Sequence, residues 1–318
     1  MTAQPVAGHA KTVLAASIAR RYYIDGRSKS EIADEFRISR FKVARLLDDS
    51  RASGLVRIEI GHPGATVAVG LSAELQDAFS LTHAIVVDTP DEHPGALMQK
   101  VGRAAAELLE EIVTPDDVLG LGWARSLLAM NSALTQLAPC AVVQLTGALS
   151  RPDVDDSSID LVRDVARLGG GTAYYYHYPM IVPDAQTATV LRAQPEVARA
   201  FEQFRSVTKA VVGLGSWEPP YSTVYDALSE QERQELRALG VRADVSGVLL
   251  DGDGAEVDAP LAQRMICVRH ADLRAVPEVI GVVYGTEKVE AAQAAVRGGC
   301  VDSIVTHSSV ARALLARA

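Results

Sequence analysis

Two periodicities follow one another along the chain. Residues 11–56 place apolar side chains at helical spacing and show no strand-like alternation. Within them, Ser28-Lys29-Ser30-Glu31 has the capping-box spacing: the Ser28 hydroxyl can accept from the third amide while Glu31 reaches back. This predicts a short helix through Phe36. Ser39 is the N-cap candidate for a second helix, which runs to about Ala52 before Gly54 ends it. Ile32, Ala33, Phe36, Ile38, Val43, Leu46 and Leu47 suit two short helices crossing over a shared core. Small Ala33 falls where they would approach most closely. An earlier helix, Val13–Tyr23, supplies Leu14, Ile18 and Tyr22 as a third wall. Residues 1–10 read as a loose tail. Val56–Ile60 is a short apolar–charged alternation, and Gly61-His62-Pro63-Gly64 then breaks the chain. The expected division is therefore a helical domain over 1–60 and a second domain over 61–318, entered through a short amphipathic helix at 66–80.

From residue 84 short β-branched runs alternate with helical patterns. The predicted strands are Ala84–Asp88, Val118–Gly122, Ala141–Leu145, Ala173–Tyr176, Ala210–Leu214, Gly247–Leu250, Val279–Tyr284 and Ser303–Thr306. The predicted helices between them include Ala96–Ile112, Ser126–Leu137, Ile159–Leu168, Glu230–Leu239, Glu287–Arg297 and Ser309–Arg317. Continuous apolar strands alternating with helices imply an α/β domain with a mostly parallel sheet covered on both faces.

Charge sharpens the division. The whole chain carries −9, but residues 11–57 hold eleven Lys/Arg against six Asp/Glu, a net of +5, which leaves −14 for the rest. A basic head on an acidic body suits one segment to an anionic polymer and the other to different work. Cys140, Cys267 and Cys300 are few, far apart and without metal-ligand spacing, as expected of a protein kept in a reducing cytoplasm. The first ten residues do not have the pattern of a signal peptide, and no apolar run approaches the about 20 residues needed to span a bilayer.

The two short helices have the form of a helix-turn-helix. The second would expose Arg40, Phe41, Lys42, Ala44 and Arg45 at the end that enters the major groove of double-stranded DNA, with Lys29 and Ser39 beside it. Arginine can bridge guanine O6 and N7, while lysine serves more often as a phosphate charge. The alternative is a small helical domain with an ordinary charged face. Arg37 occupies the turn, where glycine is usual because a positive φ is needed.

In the second domain, Val118–Ser126 reads as strand, glycine turn and helix. Amides at such a helix start can hold a phosphate or carboxylate, glycines such as Gly122 let backbone approach a ligand, and Arg125 and Ser126 add a forked cation and a hydroxyl beside Trp123 and Ala124. The dinucleotide fingerprint is absent, because it needs glycine at position 125. Gln144, Thr146 and Gly147 end the next strand, where open α/β sheets bind ligands; buried strand-end polar groups are the plainer alternative. Gly285 and Lys288 open a helix after an apolar strand. A cation in a first helical turn is disfavoured by roughly 0.3–1 kcal/mol, so Lys288 reads as placed for an anion, against the alternative of a solvated surface lysine. Asp251-Gly252-Asp253-Gly254 fails as a calcium loop, since positions six and twelve would be Glu256 and Ala262; a turn is the default. Tyr174–Tyr178 is an aromatic cluster suited to packing under a loop or to forming a ligand wall. Ser206 and Lys209 match S-x-x-K without its companion motifs. No arrangement names a general base, nucleophile, metal or cofactor, so the chain reads as a non-enzyme. The alternative is a sugar-phosphate isomerase or deaminase with an accessory DNA-binding head.

The stretch 22–59, with Tyr22-Tyr23, Gly26, Glu31-Ile32-Ala33, Ile38-Ser39-Arg40 and Arg45-Leu46-Leu47 in order, resembles the SorC family of bacterial sugar-responsive regulators. Asp117–Leu127, Val143–Ala148, Ala210–Trp217 and Val279–Thr306 resemble the effector domain of that family, in the same order. The resemblance implies a Rossmann-like effector domain, a phosphorylated sugar or polyol as effector, and a homodimer or homotetramer on its operator. It also implies that the loop at Asp251 accepts from sugar hydroxyls. Ala124 departs from the glycine usual in the family, and its methyl would narrow the pocket.

Overall fold

The computed structural model describes residues 9–56, 67–89, 93–149, 157–217 and 222–318. The chain forms two compact units, Met1–Ile60 and Gly61–Ala318. The tail expected at 1–10 lies outside the described residues up to position 8. So do residues 57–60 of the predicted alternation and the break at Gly61-His62-Pro63-Gly64.

The first unit is three helices: α1 (His9–Tyr23), α2 (Lys29–Phe36) and α3 (Arg40–Ala52). The capping box at α2 is formed, with Glu31 N donating to Ser28 Oγ at 3.3 Å and Ser28 N to Glu31 Oε2 at 2.8 Å. Ser39 caps α3 by accepting from Lys42 N. Ile18, Ile32, Ala33, Val43 and Leu47 make a buried core, with Leu14, Tyr22, Phe36, Ile38 and Leu46 against it. Between α2 and α3, Arg37 takes the left-handed conformation (φ 50°, ψ 44°). The turn geometry thus prevails over a penalty of about 1–2 kcal/mol for a residue with a Cβ, because Arg37 N closes the α2 end on the Ala33 and Asp34 carbonyls.

In the second unit α4 (Val69–Phe79) leads into β1 (Ala84–Val87), α5 (Pro94–Ile112), β2 (Val118–Leu121), α6 (Arg125–Ala133), β3 (Ala141–Gln144), α7 (Ser158–Gly169) and β4 (Ala173–Tyr174). There follow α8 (Ala185–Arg192), α9 (Pro195–Gln203), β5 (Lys209–Ser216), α10 (Thr223–Asp226), α11 (Glu230–Ala238), β6 (Ala243–Val245), β7 (Val248–Leu250), α12 (Pro260–Gln263) and α13 (His270–Arg274). The chain closes with β8 (Glu278–Val282), a 3₁₀ turn at Thr286–Lys288, α14 (Val289–Arg297), β9 (Ser303–His307) and α15 (Ser308–Leu315).

Seven strands form a parallel sheet in the order β1-β9-β8-β5-β2-β3-β4, the mostly parallel α/β fold expected. Each strand feeds both faces by its two-residue period. In β5, Ala210 and Val212 join the core shared with Ile304, Ala291 and Val310, while Val211 joins the opposite core with Val101, Leu127 and Val162.

From β2 the chain proceeds through β3 to β4 at one edge. β5 then starts on the other side of β2 and leads by β8 and β9 towards the opposite edge. The crevice outside the carboxyl ends of β2 and β5 is thus a topological switch point, where open α/β sheets bind ligands. β5 also runs on: Leu214–Ser216 pair antiparallel with β6, and β6 pairs with β7 through the two-residue turn Ser246-Gly247. β6, α8 and α9 are not among the predicted elements. β6 is only three residues, one of them the charged Asp244, too short to show an alternation.

Candidate functional site

In the first unit, three acidic side chains pair closely with cations that lie outside the start of α3. Glu35 pairs with both Arg21 (3.0 Å) and Arg27 (2.7 Å), Asp25 with Arg21 (2.8 Å), and Asp48 with Arg51. Arg40 and Lys42 are exposed and have no ion-pair partner among the described residues, and Arg45 has only a long contact to Asp49 at 3.9 Å. Phe41 sits between the two cations at 88% exposure, the most exposed large apolar side chain among the described residues. Lys29 is half-buried, its Nζ 5.6 Å from the Tyr22 ring centroid. The face predicted for DNA is therefore a basic face with an apolar residue in its middle.

In the second unit a cleft of about 550 Å³ opens at the switch point. Its walls bring together Trp123, Ala124, Arg125, Ser126, Thr146 and Lys288, from three separate sequence segments. α6 begins there without a side-chain cap and without an acidic residue in its first turn, so the positive end of its dipole is not neutralised locally. Ser126 Oγ donates to the Val282 carbonyl at 3.3 Å and keeps its acceptor capacity. Burial raises the Tyr284 phenol above its ordinary value, against the opposing pull of the Arg125 charge. The Ala124 methyl is received by Gly213, where a Cβ would lie 2.2 Å from it. This accommodates the departure from glycine at position 124.

Lys288 is 9% exposed, with Nζ 4.7 Å from the Tyr284 ring centroid. Among the described residues no carboxylate lies within ion-pair distance of it. Burial brings its ammonium down to about 8, against the opposing pull of Asp244 and Glu287. Asp244, buried on β6, moves the other way: burial raises its carboxyl above the usual range although the Ser222 hydroxyl, Lys288 and the Gly247 amide favour its charge. The hydroxyls of Thr146 and Ser246 line the same cleft, and both are buried without a hydrogen-bond partner. Ser246 reaches it because the Ser246-Gly247 turn puts both residues at positive φ, 50° and 93°, the geometry of a type I′ hairpin. A cation, an uncapped helix start and two orphaned hydroxyls in one cleft are matched to a ligand carrying an anionic group and several hydroxyls.

Other predicted residues are placed differently. Gln144 is completely buried with its amide satisfied: Nε2 donates to the Thr146 carbonyl (2.8 Å) and Ser158 Oγ (3.0 Å), and Oε1 accepts from Tyr176 N (2.9 Å). It ties β3 to β4 and does not line the cleft. Asp251 is also outside it; Oδ1 accepts from the amides of Asp253 and Ala255 and closes the turn after β7. Gly122, Gly147 and Gly285 do not line the cleft but allow it to form. A Cβ at Gly122 would stand 2.2 Å from Ser246 Oγ, one at Gly147 2.7 Å from the Met180 backbone, and Gly285 (φ 90°) donates its amide to His307 Nε2 at 3.2 Å. In the tyrosine cluster Tyr176 is completely buried and Tyr175 meets His177 edge-on, while Tyr174, Tyr175 and His177 line a cavity separate from the cleft. Lys209 pairs with Asp117 (2.9 Å) at the amino end of β5, away from the cleft.

Asp244 and Ser246 went unrecognised in the sequence. The signal available for them was the Ser-Gly turn dipeptide between Ala243-Asp244-Val245 and Val248-Leu249-Leu250.

Residues 65–316 match the family described as "Putative sugar-binding domain". The chain is 29% identical over 307 residues to an uncharacterized transcriptional regulator, YjhU, of Escherichia coli strain K12, covering 93% of this chain and 92% of that protein. It is 25% identical over 307 residues to the deoxyribonucleoside regulator of Bacillus subtilis strain 168, covering 96% and 98%. The crystal structure of the full-length sorbitol operon regulator SorC from Klebsiella pneumoniae superposes with a TM-score of 0.73 at 23% identity, over 96% of this chain and 99% of that one. Among the described residues no helix is long and apolar enough to cross a membrane.

Proposed function

This chain belongs to the sugar-binding domain family of SorC-type transcriptional regulators, and from that membership we propose that it couples operator binding by α3 to occupancy of the switch-point cleft by a phosphorylated sugar or polyol. It is a regulator of transcription whose similar proteins include regulators named for sorbitol and deoxyribonucleosides. The observation that carries the effector reading is the desolvated Lys288 cation facing the uncapped start of α6 across a cleft with two unsatisfied hydroxyls. The phosphate takes the Arg125–Ser126 helix start and Lys288. Thr146, Ser246 and Asp244 take hydroxyls of the carbon chain.

A panel of sugar phosphates and their unphosphorylated counterparts tests this by melting shift. A ligand at one hundred times its Kd stabilises by about 2.7 kcal/mol. A shift with phosphorylated members and no turnover is expected. A shift confined to the unphosphorylated sugars removes the phosphate from the cleft, and turnover makes the protein an enzyme of the isomerase or deaminase kind.

On the DNA side, Phe41 stands at the end of α3 that enters the major groove, where the thymine 5-methyl is the apolar feature to meet. Replacing thymines in the operator one at a time by uracil removes only that methyl. One position should weaken wild-type binding by about fourfold, the value of one buried methyl at about 0.8 kcal/mol, and leave Phe41→Ala unaffected. Equal sensitivity of the two proteins at every position would rule out the contact.

One short recognition helix reads few base pairs, so a homodimer or homotetramer on a two-fold symmetric operator is expected. Sedimentation at micromolar concentration should show the oligomer; a monomer both free and on DNA would defeat the symmetric arrangement.

A further inference from the structure

A second cavity lies on the other side of the Ser246-Gly247 turn and is used by neither reading above. It is open to solvent, and its polar lining side chains are Arg192, Arg269, His270, Glu256 and Gln263, arranged around the backbone of Gly247 to Leu249. Arg192 ends α8. Its Nη2 donates to the Met265 carbonyl, but its Nε is buried with no acceptor. Arg269 is exposed, and among the described residues neither arginine has a carboxylate within ion-pair distance. Burial, together with the like charge of Arg269, pushes the Arg192 guanidinium below its ordinary value. His270 Nδ1 lies 3.2 Å from Glu256 Oε2, while its Nε2 is buried without a partner.

The one carboxylate among the lining residues, Glu256, lies 3.2 Å from His270 Nδ1 and within ion-pair distance of neither guanidinium, in a body that carries −14 outside residues 11–57. A partly buried charge left unpaired is costly, and acidic side chains are plentiful enough here to have supplied partners. An oxyanion between Arg192 and Arg269 would satisfy both, since its oxygens match the guanidinium fork. Gly247 lines this cavity and the effector cleft alike, so only a thin wall separates them. At its face a Cβ on Gly247 would stand 2.5 Å from Met180 Cε and 2.9 Å from Cys267 Sγ.

We propose that this cavity is a second oxyanion site, taking the phosphate or carboxylate group of a small metabolite between Arg192 and Arg269. It is separated from the effector cleft by the Ser246-Gly247 turn. A ligand there acts on the turn that carries the Ser246 hydroxyl into the cleft, so the two sites influence one another reciprocally.

The test is calorimetric titration of the full chain with inorganic phosphate and, separately, with malonate as the carboxylate probe. The wild type is compared with Lys288→Ala, Arg269→Ala and the double variant. Because Arg269 is exposed, Arg269→Ala retains the fold, and Arg192→Met provides a second removal of the same site. Lys288→Ala should keep one saturable class of anion binding, and adding Arg269→Ala or Arg192→Met should weaken that class at least tenfold. Loss of all saturable binding in Lys288→Ala alone would overturn the proposal, as would binding in Lys288→Ala that neither arginine substitution reduces. The proposal does not depend on the sugar-phosphate reading of the first cleft. If Lys288→Ala changes nothing while Arg269→Ala removes all binding, the second site stands and the first fails. Malonate without phosphate, or the reverse, assigns the natural ligand to carboxylates or to phosphates.

Discussion

Lys288→Met should raise the thermal stability of the ligand-free protein and remove its response to effector. Burial brings this ammonium from 10.5 down to about 8. Each tenfold change in proton affinity is worth about 1.4 kcal/mol, so holding the charge there costs about 3 kcal/mol. Methionine fills a similar volume with no charge to desolvate, which recovers much of that cost. The same substitution removes the cation that faces the ligand anion. Coupling of roughly 1–3 kcal/mol between effector and operator corresponds to a 5- to 150-fold change in operator affinity, and this ratio should fall to about one. Operator titrations with and without the sugar phosphate found in the melting panel read the ratio directly. A Lys288→Met protein that responds at the wild-type effector concentration would place the phosphate elsewhere. The pH dependence has a definite sign. Because the folded value lies below the unfolded one, the unfolded chain binds more protons between about 8 and 10.5, and stability rises with pH across that window. The cost of burying the Lys288 charge is fully felt below about 8, shrinks as pH rises, and is gone above about 10.5. The methionine variant should lack this rise.

Arg40→Ala and Arg45→Ala should each weaken specific operator binding by about 5- to 150-fold, corresponding to the roughly 1–3 kcal/mol of a bidentate base contact. Both side chains are exposed, and neither belongs to the α1–α2–α3 core, so the melting temperature should stay near that of the wild type. The two classes of contact separate in salt. Losing a phosphate contact reduces the slope of log affinity against log salt by about one, whereas losing a base contact leaves the slope and lowers specificity at one position. Lys42→Ala is expected to do the former. A titration in which Arg40→Ala or Arg45→Ala matches the wild type would remove that residue from base reading. Binding that ignores salt would remove α3 from the DNA altogether.

The three helices of the head, their caps and their core were legible in the sequence because each depends on neighbours a few positions away. Ser28 meets Glu31 and Ser39 meets the Lys42 amide within one turn, and the apolar set recurs at helical spacing. The parallel strands were legible for a related reason: a strand buried on both faces must be apolar throughout, and that run is visible by itself. Lys288 could be singled out because a cation at a helix start conflicts with the dipole whatever surrounds it.

The occupants of the cleft could not be settled this way. Gln144 and Thr146 stand two residues apart on one strand, so their spacing treats them alike. Only the packing of β4 and α7 against β3 gives the Gln144 amide to Tyr176 and Ser158 and leaves the Thr146 hydroxyl unsatisfied. Asp251 had the better position in sequence, yet the local turn consumes its carboxylate, while Asp244 sits in a three-residue strand with little pattern of its own. Asp244 and Ser246 enter the cleft because β5 continues past the parallel sheet and pairs antiparallel with β6, folding the Ser246-Gly247 turn over the switch point. Local periodicity determined which segments became helices and strands. Long-range pairing decided which polar groups had their hydrogen bonds met within the fold and which were left unsatisfied in the cleft.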